Sequence, residues 1–94
     1  MDYEELRRVL LSKGEAEEDR TSHHVFYFIE VSGRTYRATK LSHSAKGQIS
    51  KGLISAIAHQ MRLTTSELRQ FVACPLEREQ WLELWCQRGY AWRG

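Results

Sequence analysis

The densest apolar run in the chain is Val25–Val31, in which Val, Phe, Tyr, Phe, Ile and Val are broken only by Glu30. β-branched and aromatic residues at that density suit a pleated strand. Ser32-Gly33 ends the run, and Gly supplies the positive φ that a two-residue hairpin turn requires. Tyr36–Leu41 then resumes with Thr, Ala and Leu. Together the two segments predict an antiparallel hairpin. Its first strand carries apolar side chains on both faces, with Val25, Tyr27, Ile29 and Val31 on one and Phe26 and Phe28 on the other.

The pattern changes to a helical period on either side of the hairpin. Tyr3, Leu6, Val9 and Leu10 form one stripe and predict a helix over Asp2–Lys13, with Asp2 as its cap, Glu5 three residues on, and Gly14 as its stop. The acidic stretch Glu15–Asp19 predicts a solvated loop or a short polar edge strand, which would be a third strand beside the hairpin. After a basic loop, His43–Gln48, a helix is predicted over Ile49–Met61. Ser50 is its N-cap, and Ile49, Leu53, Ile54, Ile57, Ala58 and Met61 share one face, with Lys51, Ser55, His59 and Arg62 opposite. Thr64 and Glu67 form a capping box for a further helix, with Leu63 stapled onto Leu68 and Phe71 and Val72 on its apolar side. Cys74-Pro75 closes that helix and opens a last one, with Pro75 in the first turn. Trp81, Leu84 and Trp85 stripe this last helix, which ends near Gly89, and Tyr90-Ala91-Trp92 is read as a frayed or docked tail. Aromatics at helical spacing point to a core or a subunit contact more than to base stacking.

The fold class is therefore α+β: a helix, an antiparallel two- or three-stranded sheet and a helix, followed by two short C-terminal helices. Residues 1–63 form the α-β-β(-β)-α part, and residues 64–94 a helical extension packed on the same single domain. Ninety-four residues with 41% hydrophobic content are enough for one modest core. No stretch reaches the ~20 apolar residues of a membrane span, and the N-terminus has no signal-peptide pattern, so a cytoplasmic protein without a membrane partner is expected. Two cysteines, Cys74 and Cys86, are too few for a disulfide framework. They and the four histidines match no ligand spacing, so neither a metal nor a cofactor is expected.

Charge is unevenly placed. The first 19 residues hold seven acids and three bases, residues 20–62 seven bases and one acid, and the remainder four of each. All four histidines lie in the basic middle segment. An anionic ligand, nucleic acid first, is the expectation for the hairpin and the helix after it. With a two-residue loop, Val31 pairs with Arg34, His24 falls opposite Leu41, and His43 lies one diagonal step away on the same face. A three-residue loop would pair His23 with His43 instead. Lys46, Lys51, Gly52 and the helix start after them are a generic phosphate cradle.

The order of a helix, a hairpin with leading histidines, a basic loop and a helix resembles the HicA-type toxins of bacterial toxin–antitoxin pairs. These are small mRNA-cleaving proteins with a double-stranded-RNA-binding-like fold. The matching stretches are Ser22-His23-His24-Val25-Phe26, Leu41-Ser42-His43, and Gln48-Ile49 through Leu53 to Met61-Arg62-Leu63, covering roughly residues 2–63. Thr21 stands where the family usually has Gly, Ser42 where it often has Arg, and the last two helices lie beyond the usual end of the toxin. The resemblance implies His24 as the catalytic histidine of a metal-independent endoribonuclease, with His43 as a second proton donor or phosphate contact. It also implies Arg37, Lys40, Lys46 and Lys51 as RNA-binding residues, and a HicB-like antitoxin as partner. An imidazole titrates near neutral pH and suits removal of a proton from a 2′-OH, whose oxygen then attacks the adjacent phosphate. Two other readings keep the fold without the chemistry: a non-catalytic RNA-binding module, and a protein-interaction domain that forms homo-oligomers through the Trp-rich last helix.

Overall fold

A computed structural model of the chain describes residues 1–88. In order, it contains α1 (Tyr3–Leu11), β1 (Glu17–Asp19), β2 (His24–Val31), β3 (Arg34–Ser42), α2 (Lys51–Gln60), α3 (Thr65–Ala73) and α4 (Arg78–Gln87). The three strands form one antiparallel sheet in the order β1-β2-β3. The architecture is α+β, as the hydrophobic pattern predicts, and the polar edge strand is the third strand. The expectation for Tyr90–Trp92 falls outside the described residues.

The helices lie on one side of the sheet. Val25, Tyr27, Ile29 and Val31 are buried in a single cluster with Leu6 and Leu10 of α1, Ile54 and Ile57 of α2, Leu68 and Phe71 of α3, and Trp81 and Trp85 of α4. The intervening β2 side chains project away from that cluster, with His24 and Glu30 exposed and Phe26 and Phe28 only partly buried. Among the described residues, no helix covers this second face.

Local signals set the helix boundaries. The side chain of Asp2 accepts from the Glu5 amide at 2.7 Å, Ser50 accepts from Leu53, and Thr64 and Glu67 close a reciprocal capping box. Two expectations are corrected here. Pro75 does not open α4; its cis peptide bond with Cys74 lies in the connection, and Glu77 caps the helix instead. Leu53 does not join the buried face of α2 and is 47% exposed.

The hairpin contains an irregularity that decides the site. The Ser32-Gly33 turn pairs Val31 with Arg34, and the expected register runs as far as Phe28 with Arg37. A β-bulge then skips Ala38, so that Tyr27 meets Thr39 and His24 meets Ser42. The expected pairing of His24 with Leu41 is therefore corrected by one residue. The cause is side-chain parity. Tyr36 and Ala38 are two apart, but Leu41 is three beyond Ala38, so no regular strand could bury all of them. The bulge buries Ala38 and Thr39 together, returns Leu41 to the core and turns Lys40 outward. Inside, the Thr39 hydroxyl donates to Gln60 Oε1 at 2.6 Å, satisfying its buried oxygen.

Candidate nucleic-acid interface

Strand pairing orders the uncovered face into lines that cross the sheet. One line runs Glu17, Phe28, Arg37, and the next runs Asp19, Phe26, Lys40. His24 and Ser42 end the series. Along β2, the Phe26 and Phe28 rings lie 6.2 Å apart at an interplanar angle of 27°. The His24 ring meets Phe26 edge-on at 6.4 Å. Arg37 reaches diagonally from its own partner Phe28, placing its guanidinium 5.5 Å from the Phe26 ring centre. This cation–π contact keeps the charge at the surface while its stem covers apolar area. A shallow groove of about 480 Å³ is lined by Asp19, Ser22, Phe26, Phe28 and Arg37 of the sheet side and reaches Tyr36, Arg62 and Trp85 of the helix side.

Three of the six residues singled out in the sequence, His24, Arg37 and Lys40, thus share this face. The other three do not join them. The diagonal placement of His43 beside His24, which followed from pairing His24 with Leu41, does not hold, because Ser42 stands opposite His24. His43 Nε2 donates to the Ser22 carbonyl at 2.7 Å, and the ring borders a small cavity of about 40 Å³ with Arg7, Val25, Tyr27 and Leu41, on the helix side of the sheet. His24 borders a neighbouring cavity of about 210 Å³, with Lys40, Leu53 and Gln60, that shares Tyr3, Leu41 and Ser42 with the first. The bulge puts Ser42 opposite His24, and His43 follows in the turn just beyond the end of β3. Lys46 is exposed in the loop after β3, and Lys51 begins α2 in the helix layer.

Electrostatics separate the structural charges from the available ones. Glu18 faces inward from β1 and accepts from Arg7 at 2.7 and 3.1 Å, Arg20 at 2.9 Å and the Tyr27 hydroxyl at 2.7 Å. The hydrogen bond to Arg7 is the main cause of a carboxyl pKa held down at about 2. The Tyr27 hydroxyl is pushed up, first by burial and then by its bond to Glu18. This cluster fastens α1 to the sheet. Asp19, on the open side, has its pKa lowered mainly by the Thr21 hydroxyl and amide that donate to it.

The sequence reading missed Phe26 and Phe28 as site residues. The signal was present in the apolar side chains on both faces of one strand, because a helix layer on one side leaves the second row uncovered. Trp81 and Trp85 went the other way. They are 0% and 1% exposed, so of the two uses expected of them, a core or a subunit contact, the core is the one seen. Among the described residues, no His, Cys, Asp or Glu side chains are grouped to hold a metal, and no helix is long and apolar enough to cross a membrane.

The chain matches no family model, no curated protein and no solved structure.

Proposed function

We propose that this protein binds RNA through the open face of its sheet. The observation that carries the reading is the convergence of Arg37 and Lys40 beside the row His24, Phe26 and Phe28, on the one sheet surface that no described helix covers. Two cations at neighbouring lines of the sheet suit successive phosphates of a nucleic-acid strand, and neutralising phosphates supplies most of the affinity of such sites. The uneven charge of the sequence supports the same choice of ligand, since the β2 and β3 part of this face lies in the strongly basic middle segment.

Fluorescence anisotropy with a labelled RNA oligonucleotide across a salt series tests this. Two phosphate contacts to a single strand give a slope of roughly −1.4 in log affinity against log salt. Arg37→Gln and Lys40→Gln should each weaken binding and flatten that slope by about half. Folded protein that leaves the RNA unbound at low salt would contradict the reading.

A HicA-like mRNA interferase activity remains the second reading, favoured by one observation: His24 is exposed on the same face, next to Lys40 across the strand pair. In this reading His24 takes the 2′-OH proton, the 2′ oxygen attacks the adjacent phosphate to form a 2′,3′-cyclic phosphate, and the P–O5′ bond breaks with the 5′ oxygen taking a proton from water. His43, whose Nε2 donates to the Ser22 carbonyl, is given no part in this reading. One positioned proton-transfer group contributes ~10²–10⁴-fold, which describes a slow nuclease. RNA shortened by wild type and left intact by His24→Ala, with both proteins binding alike, would support cleavage. RNA left intact by both would leave the binding module.

A further inference from the structure

The two flanks of the aromatic row differ in charge. On the β3 side stand Arg37 and Lys40, and on the β1 side Glu17 and Asp19, so each line across the sheet reads carboxylate, ring, cation. Both bonds from Thr21 go to Asp19 Oδ1, and Glu17 is exposed. Two interstrand steps separate the flanks by ~9–10 Å, comparable to the span of a nucleotide from its phosphate to the far edge of its base. At the turn end of the row, Glu30 follows Phe28 on the same face. It sets a like charge against any phosphate that would extend past the second ring.

We propose that this face is a stacking site for two successive bases of single-stranded RNA, selective for bases that carry an exocyclic amino group. The inference rests on the RNA-binding reading above and narrows its ligand. Phe26 and Phe28 take one base each, the base on Phe26 displacing the Arg37 guanidinium from over that ring. Arg37 and Lys40 hold the phosphates, and Asp19 and Glu17 accept hydrogen bonds from the base edges. Stacking on aromatic side chains requires unpaired bases with accessible faces, which excludes a duplex. Carboxylates accept from the N4 amino group of cytosine and suit the N6 amino group of adenine, whereas O4 of uracil sets an acceptor against an acceptor.

The test compares wild type, Phe26→Leu, Phe28→Leu and the double variant Glu17→Gln/Asp19→Asn. The probes are short labelled oligoadenylate, oligocytidylate and oligouridylate and an RNA duplex, at one low salt concentration. Far-UV circular dichroism of each variant and the light-scattering mass of each sample accompany the titrations. Leu keeps most of the apolar volume at two partly exposed positions and removes only the aromatic face. The proposal expects oligoadenylate and oligocytidylate to bind about tenfold or more tightly than oligouridylate or duplex. Each Leu variant should lose about five- to tenfold, in line with one stacked base. The Glu17→Gln/Asp19→Asn variant should lose the preference against uridylate while retaining stacking.

RNA that binds wild type and the Leu variants equally, or a duplex that binds as well as the single strands, overturns stacking and leaves RNA binding in place. Absence of any RNA binding by folded wild type overturns both. A stable wild-type dimer that the Leu variants convert to monomer assigns the face to a second copy of the chain and overturns the proposal.

Discussion

Gly14 occupies a position with no room for a side chain. A Cβ there would lie 2.8 Å from the Leu10 carbonyl oxygen and 3.3 Å from the Trp81 ring. Because the nearer atom belongs to the backbone, relief means moving α1. Gly14→Ala is therefore expected to cost ~1–3 kcal/mol in chemical denaturation. Gly52 is the contrasting case: it lies exposed in α2, where an added Cβ meets nothing within 4 Å. Gly52→Ala should stabilise by ~0.5–1 kcal/mol through helix propensity, raising Tm by about 4 °C. Trp81 completes the residue scale. Its indole donates to the Met61 carbonyl at 2.7 Å and its ring centre lies 4.8 Å from that of Phe71. Trp81→Ala should remove ~3–5 kcal/mol, close to the whole stability of a small domain, and leave a largely unfolded chain by circular dichroism.

At the scale of elements, the Glu18 cluster and the β-bulge set the sheet in place. Both Glu18 and Glu67 are held at about 2, the first by Arg7 and the second by Arg88. A carboxyl with a depressed folded-state pKa contributes stability that is fully present above its unfolded value near 4.5. That contribution is lost as pH falls from there toward about 2. Acid titration of the fold should therefore show its steepest loss in that window, and Glu18→Gln should flatten it while lowering stability at neutral pH by ~1–2 kcal/mol. An unchanged acid profile in Glu18→Gln would contradict the role assigned to the cluster. The helices were legible in the sequence because Asp2, Ser50 and Thr64 cap them with short side chains whose pattern is local. The bulge was less legible. Its trace lay in the spacing of Tyr36, Ala38 and Leu41, where two apolar steps of unequal parity occupy one strand. The position of His24 relative to His43 follows from that one skipped residue. A strand count alone therefore located the histidines at the right end of the hairpin and His24 on the right face, but with its partner across the hairpin one residue out.

For the whole molecule, helices on a single side of a three-stranded sheet leave an aromatic row in solvent, framed by acids on one edge and bases on the other. The chain solves its core problem with α3 and α4: the Phe71 and Trp81 rings pack there, and Trp85 lies 6.1 Å from both Trp81 and Tyr36. That use of the tryptophans was legible only as one of two alternatives, because the spacing that buries an indole against its own sheet also presents it to a second subunit. Which histidine, arginine and lysine would meet Phe26 was equally hidden, being fixed by pairing across strands.

Amide chemical-shift mapping on the ¹⁵N-labelled protein tests the central claim most directly, with oligoadenylate added at low salt. The account predicts the largest shifts at His24, Phe26, Phe28, Arg37 and Lys40, with small ones at His43, Lys46 and Lys51. Shifts concentrated on the loop after β3 and the start of α2, with the open sheet face unmoved, would contradict it.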